Sequence, residues 1–404
     1  MSRKPLEGIK VCDFCWVFVG PQTTKLLADC GADVIRIESN KRPGLWRTAP
    51  PFKDNVPGLN RAGAFAYFNT SKRSITINLS HPKGIELVKK LILWADVVTE
   101  NFAGGVMEKM GLGYNEIKRI KPDIIMMSSC MQGQTGPYSN HPGYGTQLSA
   151  LSGFSHISGW PDREPADIGY YTDTVAPLFN VLAIMAALDY RRRTGKGQYL
   201  DLSQLEGGVN FLTPLILDYQ INQRIANRLG NRSFQGHTPY GIFRCKGDDR
   251  WVAIAVQTED EWQSFCEVMG DIEWTKDRKF LNAHERIVNE DELEKLIERW
   301  TCNHSAEEIM TLLQSVGIAA GVLQTGEDLL ESDPQLKHRG FFKQLEHPEI
   351  GCYNGLSPSF RFSKTPYELK RAPLIGEHNE EVFKGILGLT DEEIVELIIA
   401  DVIE

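Results

Sequence analysis

A strand, a helix and a second strand fit within Ile9–Glu38, and this tight alternation is what most constrains the fold. Ile9–Phe14 has the apolar, β-branched character of a strand. Pro21–Cys30 follows with Leu26 and Leu27 at helical spacing, and Gly31 is placed to end it. Asp33–Glu38 is the next strand. Two strands joined by a helical crossover run parallel. The unit then recurs. Ser74–Leu79 is strand-like, and Pro82–Trp94 is a helix with Ile85, Leu87, Val88, Leu91 and Ile92 on one face. Asp96–Thr99, Tyr114–Ile120 and Asp123–Met127 continue as strand, helix and strand. The expectation is an α/β fold with a doubly wound sheet.

The remainder is less regular. Residues 130–175 are rich in Gly, Ser, Tyr and Pro, and a long irregular segment of this kind is more often functional than idle. Thr174–Tyr190 reads as a long apolar helix, ended by the turn Arg193–Gly197. Its Gly-Lys-Gly lacks the spacing of a P-loop. Near residue 225 the character shifts. Trp251–Val256 and Ile318–Val322 are strand-like. The pairs Thr258/Glu261 and Ser305/Glu308 have capping-box spacing before helices, and Thr390/Glu393 repeats it near the C-terminus. A small α+β domain over residues 226–330 is expected.

Composition excludes several functions. The chain has 404 residues, of which 42% are hydrophobic, enough for a sizeable core. The net charge is −9 with no Lys/Arg run, which argues against nucleic-acid or acidic-membrane binding. Apolar stretches such as Val181–Leu188 fall well short of the ~20 residues that span a bilayer. The segment Met1–Glu7 has no signal-peptide character. A cytoplasmic protein is expected. Cys12 and Cys15 have C-x-x-C spacing but sit within the strand-like Ile9–Phe18, and no second pair completes a zinc set. The eight cysteines read as structural thiols, and the nine histidines show no metal-binding spacing, so no metal site is expected.

The first β–α turn, Val17–Thr24, lacks G-x-G-x-x-G, so Glu38 alone does not support dinucleotide binding. Cations at loop-proximal positions are more suggestive. Arg36, Lys72, Arg73 and Lys109, together with Asn69, Asn101 and Phe102, supply the charges, amides and ring that an adenine nucleotide with phosphates requires.

Several stretches, taken in order, resemble the class III CoA-transferase family, which includes the formyl-CoA:oxalate and carnitine CoA-transferases. They are Leu6–Asp13 with Gly20–Glu38, Asn69–Leu79, Ala95–Phe102 with Met107–Leu112, Tyr171–Asp173, Arg193–Gln198, Thr238–Phe243, Asp333–Leu336, Gly340–Phe342 and Arg371–Gly376. The resemblance implies a large CoA-binding α/β domain built from both chain ends, residues 1–225 and 331–404, with the small domain between them. It also implies a dimer of interlocked chains. The substrates it implies are an acyl-CoA and a carboxylic acid, with no permanently bound cofactor. Asp173 stands at the family's nucleophile position. Read from the residues alone, an aspartate ahead of a helix is also a natural N-cap. The implied chemistry passes through a mixed anhydride and an aspartyl-CoA thioester, which divides one difficult exchange into easier steps.

Departures bear on the acid. Ser39 stands where formyl-CoA transferases carry a CoA-contacting arginine, leaving Lys41 or Arg42 as substitutes. Gly230–Gly236 is less glycine-rich than the loop those enzymes fold over the site. Trp16–Val19 replaces a more polar segment. Trp16, Phe18, Tyr144 and Tyr171, with Tyr170, suggest an acid with aromatic bulk, such as an aryl-substituted succinate exchanging CoA with succinyl-CoA; ordinary core packing is the competing reading. The alternatives are a carnitine-type transferase, an α-methylacyl-CoA racemase and a non-catalytic partner subunit of a hetero-oligomer. A racemase needs a histidine where this chain has Tyr144, and a phenol is a poor proton shuttle at neutral pH.

Overall fold

The computed structural model describes residues 4–404, which divide into two units. The first comprises residues up to Phe154, Ile168–Ile221 and Gln335–Glu404. The second comprises Ser155–Asp167 and Asn222–Pro334. The sequence boundaries at 226 and 330 shift by a few residues. Ser155–Asp167, read above as part of the large domain, groups instead with the smaller unit.

The first unit is built on six parallel strands, β1 (Lys10–Asp13), β2 (Asp33–Glu38), β3 (Arg73–Thr76), β4 (Val97–Glu100), β5 (Ile125–Cys130) and β6 (Tyr199–Ser203). Their order is β3-β2-β1-β4-β5-β6, with Val11 paired to both Val34 and Val97. Alternate residues face opposite layers. Val11, Val34, Val97 and Ile125 pack against helix α1 (Val19–Asp29) and the long helix Tyr171–Thr194. Cys12, Ile35, Val98 and Met126 face the helix Pro82–Trp94. The C-terminal segment closes the far edge: Val382, Phe383, Val402 and Ile403 join this second layer, and Ile403 bridges to Ile77.

β6 was not expected. It is a half-exposed edge strand, and its single Leu200/Leu202 alternation is a weak signal. β1 ends at Asp13, so Cys15 lies in the following turn rather than in a strand. Strand order reverses between β1 and β4. In open α/β sheets the crevice at such a point, beyond the carboxyl ends of the strands, is where ligands bind.

The helix Tyr171–Thr194 is, among the described residues, long and apolar enough to cross a membrane by length and composition. Here Val175, Ile184 and Ala187 are buried, while Leu178, Leu182 and Met185 are exposed.

The second unit is α+β. A three-stranded antiparallel sheet, Tyr240–Arg244, Trp251–Ala255 and Ala319–Val322, packs Phe243, Val252 and Ile254 against Phe265, Leu293, Ile297 and Leu313. Thr258 and Ser305 cap their helices as the spacing predicts.

Candidate active site

The site grows from the carboxyl end of β1. Asp13 is fully buried and accepts from the Cys15 amide (3.0 Å), Thr99 Oγ1 (3.0 Å), Thr24 Oγ1 (2.7 Å) and Lys72 Nζ (3.3 Å). Burial pushes its pKa up, but the Lys72 and Arg36 charges and these hydrogen bonds outweigh it and hold the carboxyl below its ordinary value. Burial brings Lys72 down to about 8 against the pull of Asp13. This network pins the turn Phe14–Phe18. Asn101, at the end of β4, pins it from the other side: its Oδ1 accepts from the Trp16 amide (2.8 Å) and its Nδ2 donates to the Val17 carbonyl (2.6 Å). Phe18 is held at φ 43°, a conformation a non-glycine residue adopts only when its surroundings enforce it.

The expected nucleotide cations therefore do not converge. Lys72 and Asn69 are buried and bonded to each other at 3.0 Å. Arg36 is buried, bonds the Cys15 carbonyl and lies 3.2 Å from Glu38. Arg73 forks onto Asp33 and reaches Glu381 at 3.0 Å. Each of these four has partners within the chain. Asn101 is committed to the turn. Phe102 and Lys109 remain.

These two line a cleft of about 760 Å³ along the carboxyl ends of β2 and β3, together with Trp16, Ser39, Lys41 and Arg42. Ser39 Oγ donates to Glu404 (2.7 Å), and Lys41 pairs with Asp401. Among the described residues the Arg42 guanidinium and the Lys109 ammonium have no carboxylate partner. Trp16 lines this cleft and meets Phe102 edge-on at 5.8 Å.

A smaller cleft of about 210 Å³ adjoins, with Phe102 lining both. Its walls include Phe18 and Val19 at the start of α1, Asn101, Cys130, His141, Tyr144, Gly145, Gln204 and Asp173. Asp173 lies inside the first turn of its helix, which opens at Tyr171; it is not the N-cap. Among the described residues nothing donates a hydrogen bond to its carboxylate, and burial alone raises its pKa to about 6. Pro177 has no N–H to give the Asp173 carbonyl. Gly145 makes room for the carboxylate: a Cβ there would lie 2.5 Å from Asp173 Oδ2 and 2.4 Å from Tyr170 Cβ. Tyr144 is largely exposed on the wall. Tyr171 packs edge-on against Phe154 at 4.9 Å, outside the small cleft. Glu100, at the end of β4, accepts from the Phe102 amide (2.7 Å), and burial raises it to about 7. His141, Gly145 and Gln204 escaped the sequence reading, although the first two lie in the irregular segment it singled out.

The fold and these clefts define a doubly wound α/β protein with a ligand crevice at the strand-order reversal and an unpaired buried carboxylate beside it. A family profile described as CoA-transferase family III matches residues 6–379. The chain belongs to that family and is a class III CoA-transferase, an enzyme whose substrates are CoA thioesters. It is 34% identical over 411 residues to the succinyl-CoA:glutarate CoA-transferase of Mus musculus, covering 100% of this chain and 91% of that protein. It is 32% identical to the succinyl-CoA–D-citramalate CoA-transferase of Chloroflexus aurantiacus, covering 98% and 97%. A crystal structure of a CAIB/BAIF family protein from Brucella suis superposes with a TM-score of 0.87 at 33% identity, covering 96% of this chain and 100% of that one.

Proposed function

We propose that the protein moves CoA from succinyl-CoA to a short dicarboxylic acid, with Asp173 as nucleophile. The observation that carries this is Asp173 itself: a buried carboxylate with no hydrogen-bond partner among the described residues, in a small cleft sharing the Phe102 wall with a nucleotide-sized one. In the large cleft, Arg42 and Lys109 hold phosphates while Trp16 and Phe102 pack on the carrier. The ionised Asp173 attacks the thioester carbonyl and CoA thiolate leaves, forming a mixed anhydride. The thiolate attacks the aspartyl carbonyl, releasing succinate and forming an aspartyl-CoA thioester. The acceptor carboxylate attacks that thioester, and the thiolate then takes the new acyl group, restoring Asp173. The first turn of α1 lines the same cleft, and amides at a helix start favour developing negative charge.

The acids named for the relatives, glutarate and D-citramalate, are small and aliphatic. A cleft of about 210 Å³ suits that size. The aryl-substituted succinate is the second reading. It rests on Phe18 and Tyr144, since Trp16 and Tyr171 lie elsewhere. The exposed Leu178, Leu182 and Met185, with Phe211, Leu217 and Ile221, form an apolar surface suited to a second copy or a related subunit. Native mass spectrometry of the protein expressed alone separates a homodimer from a hetero-oligomer. A reducing cytoplasm agrees with eight free cysteines, six of them buried.

The test is a transfer panel of glutarate, D-citramalate, benzylsuccinate, oxalate and carnitine against succinyl-CoA. Glutarate or D-citramalate should be the best acceptor. Benzylsuccinate as the best acceptor would favour the aromatic reading, and oxalate would overturn both. Hydroxylamine trapping should label Asp173.

A further inference from the structure

A dicarboxylate entering the small cleft brings two negative charges beside the thioester carried on Asp173. One carboxylate reacts; the other stays charged and needs compensation, because burying an uncompensated charge is costly. The cleft lining contains no lysine or arginine. His141 is its one side chain able to carry positive charge, and its ring has no hydrogen-bond partner among the described residues. Asn101 is spent on the turn. Ser139 Oγ donates to the Gly136 carbonyl. Gln204 is different. It is 6% exposed and lines the cleft, its Oε1 is buried without a donor, and its amide nitrogen has no acceptor among the described residues. The buried Oε1 is an acceptor and offers nothing to a carboxylate, but an amide N–H on a cleft wall with no acceptor among the described residues is available to a ligand oxygen.

We propose that His141 and Gln204 hold the distal carboxylate of the acceptor and make the enzyme selective for dicarboxylates. The inference rests on the short-dicarboxylate reading above and assigns its specificity to two side chains. His141 supplies a charge-assisted hydrogen bond and Gln204 an amide N–H. Both are assigned to acid binding rather than to the chemical steps.

The experiment compares KM and kcat for glutarate and for butyrate, a monocarboxylate lacking the distal group, in wild type, His141→Ala, His141→Lys and Gln204→Leu. CoA binding by calorimetry confirms that each variant is folded. In wild type glutarate should be strongly preferred. His141→Ala should raise KM for glutarate about 10- to 100-fold, the loss of one charge-assisted bond, and leave butyrate unchanged. Gln204→Leu should do the same to a smaller degree, and His141→Lys should restore much of the preference. If wild type prefers glutarate but both Ala and Leu variants keep that preference, the assignment is wrong and the dicarboxylate reading stands. If wild type prefers butyrate, both fall. A solvent-deuterium exchange at the acyl α-carbon that is lost in His141→Ala would give His141 a proton-transfer role and overturn the assignment.

Discussion

Asp13 and Asp173 sit near the same crevice in opposite environments. Asp13, at the end of β1, is surrounded by an amide, two hydroxyls and the Lys72 ammonium, and its carboxyl is held low. Asp173, in the first turn of the long helix, is buried without a donor and lies near 6. A carboxylate whose lone pairs are all engaged is a poor nucleophile and a good anchor. One left unsatisfied costs stability and keeps its lone pairs for substrate. The contrast separates the part of the site that holds shape from the part that we propose reacts.

The largest expected effect breaks the reactive side. Asp173→Ala should lower kcat by ~10⁴-fold or more, about 5 kcal/mol, with the denaturation midpoint unchanged or raised. A variant keeping a few per cent of wild-type turnover would return Asp173 to a structural role. On the anchoring side, Lys72→Met removes the cation that contacts the buried Asp13, leaving only the charge of Arg36 nearby, and should cost about 3–5 kcal/mol in denaturant unfolding. An unfolding curve within error of wild type would mean the network is ornamental.

Gly145→Ala probes the space between the two. A methyl group 2.5 Å from Oδ2 must displace the carboxylate, so kcat should fall ~10²-fold, about 2.7 kcal/mol, while CoA affinity holds. The smallest effect concerns sign. The Asp173 pKa rises from 3.8 to about 6 on folding. A raised carboxylate pKa makes the protonated fold the favoured one, so stability is lost as pH climbs through that interval, and the cost is complete above it. Asp173→Asn should therefore stabilise the protein by ~2–3 kcal/mol at pH 7 and by nothing below pH 4. Asp13→Asn should destabilise it. Equal signs in thermal melts at pH 7 would collapse the comparison.

Much of the framework was readable beforehand. Asp33–Glu38 and Pro82–Trp94 match their expected bounds, because an apolar run, a proline at the helix start and periodic leucines are local signals. Asp173 came from resemblance to a family motif; its residues alone suggested a cap. The internal partners of the cations were not legible, for a physical reason. Arg36, Lys72 and Arg73 find partners such as Asp13 and Glu381 far away in sequence, and nothing local announces that burial. Gly145 was equally silent, since what it makes room for lies on another helix. β6 was missed because its residues are only half-buried and Leu200 and Leu202 give a short alternation.

Phe102 belongs to both clefts, and that shared wall has a kinetic consequence. If, as proposed, the nucleotide lies along β2 and β3 and the acid beside Asp173, succinate can depart and the next acid enter while the carrier stays bound, so that CoA is not released as a free product. Labelled succinate should scramble into succinyl-CoA faster than labelled free CoA does.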